Sequence, residues 1–278
     1  NDVFNSLKSI FIIFLVISIL IFLCVNYLGL YEIFSDNYIS FTVLKAVFAI
    51  SIFGFIFFRH KLFYVFLISC FFFLLGERTA SGVIILIYVF NKILPHLNKK
   101  FFVLLFIMSS ISVVLVPKLY VYFSAHPLGI LINALSMQYT KENFFSGRQL
   151  IWSIAYDSLQ GHEWFGLSFA NNVLHISGID LSTHNLFIYI QLVGGYTFLL
   201  LFLSLLCLIW LRYYEHIDDP IVCASAAYLL GFMILSSFEL LWLVNNFAVS
   251  LCMWFVVGVG LMRANFLESK ITHLEINA

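Results

Sequence analysis

Ser146-Gly147-Arg148-Gln149 opens the stretch 147–160, whose apolar positions Leu150, Ile151, Ile154, Ala155 and Leu159 recur at helical spacing. Ser146 followed three positions later by Gln149 is a capping-box pattern, which puts Arg148 in the first turn of a helix. A cation there opposes the helix dipole by about 0.3–1 kcal/mol, a placement that makes sense if an anion occupies the site. Free backbone N–H groups and a guanidinium fork then converge on one point, an arrangement suited to phosphate. The alternative is a surface arginine paired with Asp157 or Glu142. Arg78 repeats the pattern, standing between two apolar runs immediately before Thr79, a residue suited to capping the next helix. An ionisable group at membrane depth is a functional candidate by default; its alternative is a pair with Glu77 or a side chain that snorkels to water. His184, in Ser182-Thr183-His184-Asn185, leads into a long apolar run from Leu186, with Ser182 or Thr183 as the expected cap. The positive end of a helix disfavours a second cation, which leaves the imidazole usable as an acceptor or a base; the alternative is a hydrogen-bonded interface residue.

Three further positions are weaker. His162 and Glu163, in Gly-His-Glu-Trp-Phe-Gly, have the residue types of acid–base chemistry, but a Gly-flanked turn with a Trp is as well suited to structure. Glu239, at the end of an apolar run, is placed to bind a sugar hydroxyl, to help position Arg78, or simply to reach the interface. His162, His175, Asp180 and His184 fit no standard metal-ligand spacing, so no metal is expected. The chain also lacks a P-loop, a dinucleotide fingerprint and a Ser-His-Asp signature.

The elements that must carry these residues are membrane helices. Hydrophobic residues make up 63% of the 278-residue chain and charged residues 10%, with Phe alone occurring 33 times. A water-soluble domain runs at about 45–50% apolar and about 25% charged, so a soluble fold of this size lacks the polar residues to cover its surface. The formal charge is zero, which removes the basic footprint of a nucleic-acid binder. Cys24, Cys70, Cys207, Cys223 and Cys252 all lie in apolar runs, giving neither a disulfide framework nor a zinc pattern. Crossing a hydrocarbon core takes about 20 apolar residues. Candidate spans lie at 10–30, 41–58, 62–76, 80–95, 101–116, 186–210, 221–241 and 247–262, with Glu77-Arg78-Thr79 as a tight hairpin between the third and fourth. The expected architecture is therefore all-α: a single polytopic membrane helix bundle over 1–278, with about eight transmembrane helices and one large, partly helical external loop. The chain opens on Asn1 and not Met, consistent with a piece of a longer protein whose earlier spans lie upstream.

Lysine and arginine set the orientation. With both termini inside, segments 1–9, 59–61, 91–100, 211–220 and 263–278 hold nine basic residues in 48 positions, against four in 87 for segments 31–40, 77–79, 117–185 and 242–246. The long segment 117–185, between the fifth and sixth spans, is thereby placed outside. At 69 residues it exceeds what a passive connection needs, and its Trp152, Trp164, Tyr120, Tyr122, Tyr139 and Tyr156 argue against disorder. Besides 147–160 it holds a second expected helix, 128–139, whose apolar stripe suits the membrane surface. Arg78, Arg148 and His184 all fall on this outer side.

Three stretches resemble the O-antigen ligase and polymerase superfamily of bacterial envelopes: Gly76-Glu77-Arg78-Thr79-Ala80-Ser81-Gly82, Arg148-Gln149-Leu150-Ile151-Trp152 through Gly161–Gly166, and Thr183-His184-Asn185-Leu186-Phe187 through Gly194-Gly195. The likeness runs from about residue 60 to the end of the eighth span, with Glu77 in place of the family's serine and with Gly166-Leu167-Ser168 lacking a second glycine. It implies metal-independent transfer of a glycan from an undecaprenyl-pyrophosphate carrier to a sugar hydroxyl, on the periplasmic face of a bacterial inner membrane, with both termini cytoplasmic and no cofactor. By the same resemblance Arg78 and Arg148 hold the pyrophosphate, and His184 positions or deprotonates the acceptor. Asn185, Trp152, His162 and Glu239 complete the substrate-binding set. The expected partners are the lipid-linked oligosaccharide, an acceptor glycan, membrane lipid and a chain-length regulator. The reading favoured is a polymerase of repeat units; a ligase onto lipid A-core is the alternative, and a transporter or flippase the rival from another class. Transporters put ionisable groups and broken helices at the bilayer midplane, often in two related halves. Here the charges cluster at span ends and no half-repeat is visible.

Overall fold

The computed structural model describes residues 61–74, 78–141, 143–168, 174–176, 179–239 and 247–276. The expected spans 10–30 and 41–58 lie outside the described residues, as do Glu77 and Glu142. Eight α-helices follow in order: α1 (Lys61–Leu74), α2 (Arg78–Ile93), α3 (Lys99–Ala125), α4 (Pro127–Thr140), α5 (Arg148–Ser158), α6 (Leu186–Tyr214), α7 (Pro220–Ser236) and α8 (Phe247–Ile276). The fold is all-helical apart from one short antiparallel hairpin, β1 (Leu174–Ile176) and β2 (Ile179–Leu181), whose register sets His175 opposite Asp180.

Among the described residues three helical stretches are long and apolar enough to cross a membrane: Thr79–His96, Lys99–Ala125 and Leu186–Tyr214. The expected span 221–241 corresponds to α7, apolar but ending at Ser236. On α3 the apolar side chains Leu104, Ile107, Met108, Ile111, Leu115 and Leu119 stand exposed, a surface suited to lipid contact. That helix does not stop at residue 116. It continues to Ala125 through Pro117.

The chain divides into two compact units, one of Asn1–Phe102, Ile209–Phe232 and Leu241–Ala278, the other of Val103–Leu208 and Met233–Leu240. In the first unit, Ser69 and Ser81 tie α1 to α2. Each hydroxyl donates to the other residue's carbonyl, at 3.1 and 2.9 Å. Asp219 accepts from the Ile221 and Val222 N–H groups at the start of α7 and pairs with Arg263 of α8 at 2.8 Å. Arg212 pairs with Glu215 and Glu268.

In the second unit the core is Trp152, Ala155 and Leu159 of α5 against Ile188 and Leu192 of α6. Ala155 and Leu159 belong to the apolar stripe read from sequence; Trp152 does not, and Leu150 of that stripe is exposed. Just beyond them α6 breaks, since Gly194 (φ −135°, ψ 15°) and Gly195 (φ 64°, ψ −162°) are not helical. The expected span 186–210 is thus two helical pieces. A break strands backbone groups that must find partners elsewhere. The turn after α5 supplies them. Leu167 N–H and Ser168 N–H donate to the carbonyls of Leu192 and Val193, and Tyr196 N–H and Thr197 N–H donate to those of Glu163 and Trp164. The two backbones come so close that a Cβ on Gly195 would stand 2.2 Å from the Trp164 carbonyl carbon, and one on Gly166 would stand 2.6 Å from the Gly194 nitrogen. Only glycine fits at either position.

Candidate functional site

Arg148 is the first residue of α5, as its sequence context implies, but the cap is different. Gly147 takes the N-cap position with φ 77° and offers no side chain, while Ser146, at φ 55°, joins the preceding turn through its N–H to the Asn143 carbonyl. The capping box therefore does not form, because that turn requires the left-handed backbone at both residues. The first turn carries no acidic residue, and since Arg148 N–H and Leu150 N–H already bond to the Phe145 and Gly147 carbonyls, the guanidinium is the main donor at this end. The guanidinium lies over the Phe238 ring, 5.9 Å from its centroid, and Nη2 reaches Glu239 Oε1 at 3.4 Å. One long contact leaves most of an arginine's five N–H donors uncommitted.

His184 stands at the mouth of α6 with φ 46°, a left-handed backbone. Both neighbours are buried and anchored. Thr183 Oγ1 donates to the Asn185 carbonyl at 3.0 Å, and the Thr183 carbonyl accepts from Trp152 Nε1 at 2.7 Å. His184 Nδ1 lies 3.9 Å from Glu239 Oε2. Glu239 thus faces Arg148 with one oxygen and His184 with the other. The three side chains are 23% (Arg148), 17% (Glu239) and 49% (His184) exposed, so the cluster is most open to water on the histidine side. Arginine, carboxylate and imidazole in this order can bind an anion, orient a base and accept a proton.

Two residues expected on substrate are instead occupied within the protein. Asn185, fully buried, is the helix cap that Ser182 or Thr183 was expected to supply. Its Oδ1 accepts from Phe187 N–H and Ile188 N–H at 2.9 and 3.0 Å, and its Nδ2 donates to the Ser237 carbonyl at 2.7 Å. Ser182 serves one residue on, its Oγ accepting from His184 N–H at 3.3 Å. Trp152 is equally buried, with its indole N–H spent on Thr183. Both position the site. Asn185 fastens the helix start bearing His184 to the turn bearing Glu239. Asn185→Ala is therefore expected to lower stability by about 2–4 kcal/mol, from the lost cap and the stranded Ser237 carbonyl together. Thermal unfolding of the detergent-solubilised protein measures it.

Arg78 opens α2, which places Thr79 inside the helix and not at its cap; the Arg78 side chain lies outside the described residues. His162 sits exposed in the turn beyond the far end of α5, about 16 Å of helix from Arg148, and does not join the cluster. His175 and Asp180 face each other across the β-hairpin. Among the described residues no group of three His, Cys, Asp or Glu side chains is arranged to hold a metal ion. Phe238, the aromatic floor under Arg148, carries no sequence signal beyond its place next to Glu239.

Comparison with family models, with curated proteins and with solved structures finds no match to this chain.

Proposed function

We propose that this chain is a membrane glycosyltransferase that joins undecaprenyl-pyrophosphate-linked oligosaccharide repeat units, a polymerase working at the outer face of a bacterial inner membrane. In this reading eight spans carry the chain across the bilayer, both termini are cytoplasmic, and the region around 117–185 is external. The observation that supports it most is the meeting of Arg148 and His184, from separate elements, on the two oxygens of Glu239.

In the proposed reaction the acceptor hydroxyl attacks the anomeric carbon of the donor glycan. The new C–O bond forms as the bond to pyrophosphate breaks, and its electron pair leaves with the pyrophosphate. Charge grows on that leaving group, so a guanidinium already aimed at it favours the transition state over the ground state. By family resemblance Arg78 shares this task with Arg148. The acceptor proton goes to His184. With Nδ1 facing Glu239, the ring presents Nε2 outward, and the carboxylate stabilises the imidazolium that forms. A separation of 3.9 Å is longer than a hydrogen bond, and such contacts commonly tighten once substrate is bound.

The test is reconstitution in vesicles with a defined lipid-pyrophosphate oligosaccharide, the product sized on a gel. A ladder of repeat units is expected. Donor returned unchanged overturns the proposal, and transfer only onto an added lipid A-core acceptor makes the enzyme a ligase. Glu239→Gln separates the two roles of the carboxylate. Removing its charge frees Arg148 for the pyrophosphate, so KM for donor falls. It also unsupports the base, so kcat falls by about 10- to 100-fold, part of the roughly 10²–10⁴-fold typical of acid–base catalysis.

A further inference from the structure

A second cleft lies in the same unit, away from the Arg148 cluster. Its volume is about 530 Å³, and Lys118 of α3, Tyr156 of α5, Glu163 of the following turn, and Gln191 and Tyr196 of α6 line it. Volumes of this order suit small-molecule sites. Two of its polar groups are orphaned. Gln191 is 2% exposed and its Nε2 has no hydrogen-bond partner, and the buried Tyr156 hydroxyl has none either. Buried donors of this kind are rare because each forfeits its hydration and receives nothing back. They come from different helices, yet both residues line one cleft, which puts two unpartnered polar groups in its wall.

The remaining lining narrows the ligand's chemistry. Lys118 Nζ donates to the Tyr196 hydroxyl at 3.2 Å and sits 5.5 Å from the Tyr156 ring centroid, so its charge already faces aromatic rings. Glu163 supplies an acceptor; backbone N–H groups of Glu163 itself and of Gly161 hold its carboxyl below the usual carboxylate range. Burial pushes the Tyr156 phenol up, which keeps it an O–H donor. Aromatic plates beside amide, phenol and carboxylate groups match a pyranose, which offers a C–H face to the rings and hydroxyls to both donors and acceptors. Phosphate would use neither the rings nor Glu163. The turn that brings Glu163 and Tyr196 together is the one sealed onto the α6 break through the Tyr196 N–H to Glu163 carbonyl bond of 2.8 Å. The break thus builds this cleft.

We propose that the cleft is a sugar-binding subsite holding a residue of the glycan remote from the reacting bond. Tyr156 stands about 12 Å along α5 from Arg148, so a ring bound there belongs to a different part of the chain from the pyrophosphate. The assignment of the sugar to a glycan substrate rests on the function proposed above, whereas the binding of a sugar does not.

The experiment is saturation-transfer NMR on the full chain in lipid nanodiscs, with glucose, N-acetylglucosamine and glucuronate as separate probes and inorganic phosphate as a fourth. Saturation of the ring protons of at least one sugar is expected. Gln191→Leu should weaken it by about tenfold, the loss of one well-placed donor, and Tyr156→Phe should weaken it several-fold. Because Gln191→Leu removes an unpartnered buried amide, its thermal midpoint should match or exceed wild type, which separates lost binding from lost fold. If that variant fails to fold, Tyr156→Phe carries the test. Arg148→Ala should bind the sugar normally. No transfer to any of the three sugars, transfer unchanged by both substitutions, or binding of phosphate alone overturns the subsite. Sugar binding by a protein that cannot join glycans overturns only the function proposed above.

Discussion

Arg148→Ala is expected to lower the rate of glycan joining by about 10²–10³-fold, the usual cost of removing one preorganised donor from a developing oxyanion. The size of the effect follows from how little else competes for the guanidinium. Its bond to Glu239 is long, and its other neighbour is the Phe238 ring, 5.9 Å from Cζ to the centroid, which uses none of its N–H groups. The backbone adds the positive end of α5, free of any acidic side chain in its first turn. Both contributions point at a leaving group and neither depends on the acceptor. Because the guanidinium also holds the pyrophosphate of the bound donor, the loss should fall on kcat/KM more than on kcat, with KM for donor raised. Arg148→Lys should recover little. A lysine retains the charge but neither the planar fork nor the stacking on Phe238, so recovery by Lys to within tenfold of wild type would reduce the residue to a point charge. Initial rates with a defined lipid-pyrophosphate donor, at matched protein level, decide between these outcomes.

How much of this site was legible before the structure depends on the residue. The place of Arg148 in the first turn of α5 follows from the residue pattern, as do Ala155 and Leu159 on the buried face; Trp152, also buried there, lies off the expected stripe, and Leu150, on it, is exposed. The cap did not follow. Ser146 has the right chemistry for a capping box, but the turn from Asn143 needs left-handed backbone at Ser146, and a side-chain pattern cannot report a dihedral angle. The same holds at α6, where Ser182, Thr183 and Asn185 are all competent caps. Burial chooses Asn185, because its amide alone can serve the helix start and reach the Ser237 carbonyl. Gln191 shows the other kind of blindness. One amide in an apolar run reads as a tolerated polar residue, and only the packing of α3, α5 and α6 reveals that it is buried against a cleft with nothing to bond.

The break in α6 links these observations. A glycine pair within an apolar span is readily read as a packing feature of a continuous helix. Here it opens four backbone groups, and the 163–168 turn closes on all of them. Because that turn is the direct continuation of α5, the bond pattern also fixes where α5 can lie, and with it the direction in which Arg148 presents its fork. Precision at the charged cluster thus originates some distance from it, in two backbones too close together to admit a Cβ.

His184→Ala should cost about 10²–10⁴-fold in rate, the range general-base catalysis contributes. The structure also specifies a control that alanine cannot provide. His184 holds φ 46°, a conformation that β-branched and most bulky residues resist and that asparagine tolerates well. His184→Asn therefore retains the local backbone, the N–H bond to Ser182 Oγ and a polar side chain at the helix mouth, while removing the only atom able to take a proton at neutral pH. Thermal stability of His184→Asn should match or slightly exceed wild type, whereas His184→Ala should be modestly less stable from left-handed strain of about 1 kcal/mol. Both should be equally poor at joining glycans, and both should still bind the lipid-pyrophosphate donor through Arg148. An asparagine variant that works within tenfold of wild type would mean the imidazole only positions the acceptor. Two variants with different stability and the same lost rate would exclude lost stability as the cause of the defect and place it in the imidazole.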